Sequence, residues 1–315
     1  MVDIFEIIDK SKTIALFSHL NSDGDAIGSL MAFKYYLDTL GKETYVFLQR
    51  PIGENFYFMG INEVANKKTL PEYDLAICTD SPNSSRFGQY EQEFLKAKNS
   101  ISIDHHLDNS NYAKINIVDS NKSSACELVY SIFKHYKKSI TPQMATCLYS
   151  GLSTDTGSFT HGNMTFNTFV TAGELINYGA DLATLNDFLY SHMKMNEFDI
   201  FRLALSKAEF YENGKIALIA ISEKMLQQTN SDITSTHEII GQLNTIVGVE
   251  IAALITENKY RENFVSVRSK KHSAQRICQT FGGGGHLRAA GCKIFVPLKY
   301  AKQQLLDECK KELLR

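Results

Sequence analysis

The 315-residue chain lacks any excess of basic residues: 33 Lys and Arg stand against 35 Asp and Glu, a formal net charge of -2. Proteins that track long nucleic acid carry a basic stripe and a high pI. This balance argues against a long strand as ligand, so any nucleic-acid substrate must be short. Cysteine is sparse, and none of Cys78, Cys126, Cys147, Cys278, Cys292 and Cys309 falls in a Cys-x-x-Cys pair. A disulfide framework and a cysteine zinc site are thereby excluded, and the six read as reduced core residues of a cytoplasmic protein. No apolar run approaches the ~20 residues of a membrane span. The acidic start Met1-Val2-Asp3-Ile4-Phe5-Glu6 has no signal-peptide pattern. A soluble protein with no membrane contact is expected. Internal repeats and low-complexity tracts are missing too.

What is present reads as an α/β protein. The length exceeds that of one ordinary domain, so two domains are expected. Short apolar strands at Ile14–Ser18, Thr44–Leu48, 75–79 and 101–103 alternate with helices at 2–9, 26–40 and 89–98. That alternation predicts a doubly wound, mostly parallel sheet. Ser124-Ala125-Cys126-Glu127 is a capping box opening a helix, and Thr141-Pro142 opens another that runs to Asp155. Further helices are expected over 165–178 and 182–211, the latter interrupted by a polar stretch. Strands at 215–221, 249–256 and 263–268 and helices at 231–246, 272–281 and 298–314 form a smaller second α/β domain. The expected division is 1–187 for the first domain, 188–211 for a helical linker and 212–315 for the second.

Three of the strands end in groups that are costly to bury unless paired or bound to metal. The first runs into His19, with Asp23 and Asp25 beyond it; the third into Asp80; the fourth into Asp104-His105-His106. Open parallel sheets bind ligands outside the carboxyl ends of their strands. Gly24 between the two aspartates is expected to let the backbone bend so that both aim at one place. Asp155 adds a carboxylate from the helix behind. Singly, Asp23 and Asp25 could be cap residues, His19 a satisfied strand-end histidine, and Asp80 and Asp155 turn residues. Adjacent imidazoles at a strand end have little structural purpose. The set is rich in oxygen and imidazole, which favours Mn²⁺ or Mg²⁺. Its four carboxylates suggest two ions, an arrangement suited to hydrolysing phosphate esters.

His19-Leu20-Asn21-Ser22-Asp23-Gly24-Asp25, Asp80, Asp104-His105-His106 and Thr154-Asp155-Thr156-Gly157 resemble the four motifs of the DHH phosphoesterase family. Gly282-Gly283-Gly284-Gly285-His286 with Leu287-Arg288-Ala289-Ala290-Gly291 is similar to the signature of its DHHA1 domain. The resemblance implies that His19 and Asp23 hold one manganese, that Asp25, His105 and Asp155 hold the other, and that Asp80 bridges them, with Mg²⁺ or Co²⁺ as substitutes. His106 would contact the scissile phosphate or assist the leaving group, and Asp104 would orient an imidazole. Arg86 is a weaker candidate for phosphate contact, with a surface salt bridge as its alternative. Ser22 stands where relatives commonly have proline, and Thr160-His161 follows Phe159 where many have arginine.

The glycine run lacks the Gly-Lys-Ser/Thr of a Walker loop. Its bare backbone suggests a phosphate cradle, and Arg268 at a strand end supplies a guanidinium for bidentate pairing. The resemblance implies that Arg268, Gly283, Gly284, Gly285 and His286 bind substrate. The expected activity is hydrolysis of very short oligoribonucleotides to mononucleotides and removal of the 3′-phosphate of 3′-phosphoadenosine 5′-phosphate (pAp). Linear dinucleotides from cyclic-dinucleotide turnover are an alternative substrate, and a non-catalytic nucleotide-binding regulator is the alternative of another class. A homodimer stays open.

Overall fold

Alternation along β1 (Thr13–Phe17) decides the first sheet. Ile14 and Leu16 enter one core while Ala15 and Phe17 enter another. β2 (Glu43–Phe47) and β3 (Tyr73–Thr79) are likewise apolar on both sides, and the end of β4 (Ala97–Asp104) is buried on both, with Ile101 and Ile103 on one face and Ser100, Ser102 and Asp104 on the other, so the sheet requires cover on both faces, which suits parallel pairing. The computed structural model describes residues 3–190, 193–258, 260 and 262–315. Val2 and positions 191–192 of the expected linker lie outside them.

The chain divides into two compact units, Met1–His192 and Met193–Arg315. In the first, the described strands pair in the order β2-β1-β3-β4-β5, all parallel, with β5 spanning Ile115–Val118. One face is covered by α1 (Ile4–Lys10), α2 (Gly24–Thr39), α5 (Ala125–His135) and α6 (Pro142–Asp155), which contribute Phe5, Ile27, Phe33, Val129, Phe133 and Leu148 to the core. The other face holds an aromatic cluster of Phe17, Phe47, Tyr73, Phe87 and Phe94. Phe17 and Phe47 stack with centroids 5.1 Å apart. A short α3 (Ile61–Val64) lies before β3, and α7 (Phe166–Asn177) and α8 (Leu182–Tyr190) complete the unit. Strand order reverses between β1 and β3, the topological switch point where such sheets bind ligands.

Two expectations need correction here. The helix expected over 89–98 is a 3-10 stretch, Ser84–Tyr90, broken at Gly88, then a one-turn α4 (Glu91–Leu95), and the chain is already in β4 by Ala97. Gly88 has φ 56°, which ends a helix, and the Leu20 side chain would meet any Cβ there at 2.6 Å. Strand β5 was not foreseen. It is a four-residue edge whose side chains are only partly buried, so its apolar signal is weak.

The second unit carries a mixed sheet in the order β10-β11-β9-β8-β7-β6. Its strands are β6 (Glu209–Tyr211), β7 (Ile216–Ile221), β8 (Ile251–Glu257), β9 (Asn263–Ser269), β10 (Gly284–His286) and β11 (Ala289–Ile294). Among the described residues only β7 and β8 pair in parallel. One face packs on α12 (Ala274–Gln279) and α13 (Leu298–Leu313). Ala217, Ile219, Ala252 and Leu254 on the other face meet α9 (Met195–Leu205) and α11 (His237–Thr245). Within the stretch expected as linker, α9 buries Ile200 and Ala204 in this core. The short α10 (Glu223–Gln228) adds Leu226. The second half of the glycine run, expected as a phosphate cradle, is strand: Gly284 and Gly285 belong to β10, which pairs antiparallel with β11.

Candidate metal centre

The site gathers at the switch point. His19 follows β1, and its Nδ1–H donates to the Leu20 carbonyl at 2.6 Å, which leaves Nε2 as the ring nitrogen that could bind a cation. That Nε2 lies 3.2 Å from Asp80 Oδ2 and 3.9 Å from Asp23 Oδ1. His105 follows β4; its Nδ1 faces the Lys122 carbonyl at 3.3 Å, while Nε2 lies 3.5 Å from Asp80 Oδ1, 3.6 Å from Asp155 and 3.8 Å from Asp25. Ligand atoms of His19, Asp23 and Asp80 fall within 4.8 Å of one another, as do those of Asp25, His105 and Asp155. Asp80 stands between these two groups and, with His105 and His106, makes a third of the same kind. It follows β3 with φ 54°, a left-handed conformation that turns the carboxylate off the strand.

Local structure explains how two aspartates so close in sequence serve different groups. Asp23 caps α2, accepting from the Asp25 and Ala26 amides at 3.1 and 3.0 Å. The cap role and a ligand role are compatible, since Oδ2 is not used in it. Asp25 lies on the helix itself, buried, and accepts from Ala125 N at 2.6 Å and Cys126 N at 2.8 Å. Those amides open α5, whose positive end favours the carboxylate. Gly24 does not act as expected. It has ordinary helical φ, and its missing side chain makes room for Thr154, whose Oγ1 would lie 2.4 Å from a Cβ. Gly28 and Gly151 serve the same seam: a Cβ on Gly151 would sit 2.3 Å from Cys126 Sγ and 2.8 Å from Asp25 Oδ1. This contact of α2 with α6 brings Asp155, the last residue of α6, to Asp25.

The charges ask for a cation. Burial pushes the Asp25 carboxyl well above the usual range, and the Asp80 and Asp155 charges push it further. Burial likewise raises Asp155 to about 6, against the pull of His105. Asp80 is opposite: burial disfavours its charge, but the neighbouring His105 and His19 imidazoles hold it low. Burial disfavours imidazolium at both histidines, yet Asp80 outweighs it, lifting His19 to about 9 and His105 to about 10. Asp80 Oδ1 is fully buried and accepts no hydrogen bond among the described residues, a demand that metal coordination would satisfy. Oxygen and imidazole donors with no thiolate suit a hard divalent ion.

Asp104 is not a member of either group. Buried at 0% exposure, its Oδ1 accepts from His105 N at 2.9 Å and His106 Nδ1 at 2.7 Å, and its Oδ2 accepts from Asn109 Nδ2 at 2.6 Å. The imidazole it orients is His106. That hydrogen bond raises the His106 pKa, with burial opposing. Asn109 was missed in the sequence, as were the α5 amides that hold Asp25; an amide at a loop position and a helix start a hundred residues away carry no local signal.

The model of the DHH family N-terminal domain matches residues 13–152, and that of the DHHA1 domain matches residues 214–313. The chain carries a DHH-family domain followed by a DHHA1 domain. It is 29% identical over 305 residues to a Thermus thermophilus protein named bifunctional oligoribonuclease and PAP phosphatase NrnA, covering 96% of this chain and 90% of that one. It is also 29% identical over 294 residues, 90% of each chain, to a Streptococcus mutans protein named probable bifunctional oligoribonuclease and PAP phosphatase NrnA. Among solved structures, an exopolyphosphatase-related protein from Bacteroides fragilis has the same fold, with TM-score 0.90 over 98% of this chain and 94% of that chain at 23% identity.

Arg86, in the DHH domain, is exposed, and its carbonyl accepts from Leu20 N at 2.6 Å, which sets it beside the His19 loop. It makes no ion pair among the described residues. In the DHHA1 domain, Arg268 and His286 are both register partners of Ala289 and so share a sheet face, roughly 10 Å apart at ~4.8 Å per strand. Arg268 and Gly283 line a cavity of about 640 Å³; Gly284, Gly285 and His286 do not. Most of the glycines are required by the hairpin. A Cβ on Gly283 would meet the Gly291 carbonyl at 2.3 Å, and Gly285 at φ 137° would meet the Ala289 carbonyl at 2.6 Å, whereas Gly284 faces open space.

Proposed function

We propose that this DHH protein is a two-metal phosphohydrolase that converts very short oligoribonucleotides to mononucleotides and removes the 3′-phosphate of pAp. The observation that carries the reading is the pair of His/Asp groups meeting at one buried carboxylate, Asp80, with an unsatisfied oxygen. His19, Asp23 and Asp80 would hold one Mn²⁺, and Asp25, His105, Asp155 and Asp80 the other. Such ions supply Lewis-acid polarisation of the phosphoryl group and lower the pKa of an attacking water. His106, fixed by Asp104 through Nδ1, keeps Nε2 for a hydrogen bond to the leaving oxygen. Arg86 has no competing carboxylate and is suited to a substrate phosphate. In the DHHA1 domain, Arg268 takes another phosphate. The names of the two curated relatives support this substrate class.

The test is a panel of initial rates with Mn²⁺ on dinucleotides, longer RNA, pAp and pyrophosphate. Dinucleotides and pAp should be released fastest, with rates falling as RNA lengthens to about ten nucleotides, because a near-neutral chain gains little from counterion release. Nucleotide binding without product would mean a regulator. Faster turnover of pyrophosphate or long RNA would reject the substrate class.

A further inference from the structure

Along β9 the buried residues alternate with Phe264, Ser266 and Arg268, which are half-buried on the opposite face. That face forms a wall of the cavity of about 640 Å³, completed by Gly291 and Lys293 of β11. Among the described residues the lining contains two cations, Arg268 and Lys293, and no carboxylate. Register sets Lys293 opposite Phe264, and its Nζ lies 4.5 Å from the centre of the Phe264 ring. Arg268 is four residues along the same strand face, roughly 13 Å at ~3.3 Å per residue, a span that two long side chains shorten from both ends.

Neither cation is neutralised inside the cavity. The Arg268 guanidinium donates to its own Val267 carbonyl at 3.2 Å and makes no ion pair among the described residues. A shielded guanidinium without an anion is unfavourable, so the wall is prepared for one. Lys293 meets Glu262 at 3.8 Å, with 46% and 34% of the two side chains exposed. A pair that long and that wet is worth little and yields readily to a phosphate. Phe264, Phe281 and Phe295 supply aromatic surface around the two charges, on which a nucleobase can stack.

We propose that Lys293, carried over the Phe264 ring, is a second anion contact in this cavity. The cavity thereby selects nucleotides bearing two phosphate groups, the first on Arg268. This rests on the phosphohydrolase reading above and adds its specificity-determining residue.

The experiment titrates the full chain, in chelator so that nothing is turned over, with adenosine 3′,5′-bisphosphate and with AMP. Wild type should prefer the bisphosphate. Lys293→Ala should lower bisphosphate affinity about tenfold, as one half-exposed charge-assisted contact would, and AMP affinity less than about twofold. Lys293→Arg should keep the preference, and Glu262→Gln should leave it intact or raise it. Equal loss for both nucleotides, or an unchanged preference in Lys293→Ala, overturns the inference alone if wild type still binds AMP and hydrolyses dinucleotides with Mn²⁺. Wild type that binds neither nucleotide and releases no product overturns the underlying reading as well.

Discussion

Replacing Asp104 by asparagine tests whether this residue positions His106 or holds metal. The carboxylate makes three contacts: Oδ1 with His105 N (2.9 Å) and His106 Nδ1 (2.7 Å), and Oδ2 with Asn109 Nδ2 (2.6 Å). Asparagine has one acceptor oxygen. If that oxygen stays toward the histidines, its amide confronts the Asn109 amide, donor against donor. Asn109 cannot flip freely, because its Oδ1 already accepts from Asn111 N at 2.8 Å. One charge-assisted contact is lost outright and another weakened, a penalty of about 1.5–3 kcal/mol at hydrogen bonds to charged groups. If the His106 orientation is needed in the transition state, kcat should fall roughly ten- to a hundredfold with KM nearly unchanged. The pH profile should move as well. Asp104 raises the His106 pKa, so its acid form persists to higher pH in wild type. Losing the charge lowers that pKa, and the alkaline fall in rate should begin at lower pH. Metal content, measured by plasma mass spectrometry, should not change. A variant that loses metal would make Asp104 a ligand, and one with unchanged kcat and pH profile would refute the positioning argument.

Three further outcomes follow from the same geometry. Chelation should abolish activity, with Mn²⁺ restoring it better than Zn²⁺, and Asp80→Ala should stay inactive under excess Mn²⁺ while its circular dichroism is preserved; substantial turnover would remove Asp80 from the bridge. Gly151→Ala places a Cβ 2.3 Å from Cys126 Sγ; overpacking of about 1–3 kcal/mol should lower the Tm of the first unit by about 2–12 °C and reduce metal occupancy by displacing Asp25, and calorimetry showing no shift would mean the helix seam relaxes freely. Arg268→Ala should cut kcat/KM for dinucleotides about ten- to a hundredfold with metal content intact, whereas His105→Ala should lose metal; the reverse pattern would contradict the division of labour between the domains.

Much of this protein was legible in its one-dimensional pattern. Apolar runs ending in His19, Asp80 and Asp104-His105-His106 marked the strands and pointed to a candidate site at their ends, because buried imidazoles and carboxylates need a partner that a sheet alone does not supply. The caps of α5 and α6 were legible for a similar reason: Ser124 accepts from the Glu127 amide at 3.0 Å, and Thr141 accepts from Met144 N at 3.3 Å. The capping box was only half right, since the Glu127 carboxylate reaches Ser123 N at 3.0 Å rather than the cap residue. Tertiary structure decided the rest. Which ligands share a group depends on strand order and on a helix seam of Gly24, Gly28 and Gly151, and only packing reveals that those glycines serve contact instead of flexibility. Asp25 finds its amides a hundred residues away at Ala125 and Cys126. Gly284 and Gly285 became part of a strand because β11 offered them an edge, and the row of Arg268, Ser266 and Phe264 acquired Lys293 through antiparallel register. Local chemistry marks groups that need partners; the chain's long-range packing chooses which partners they get.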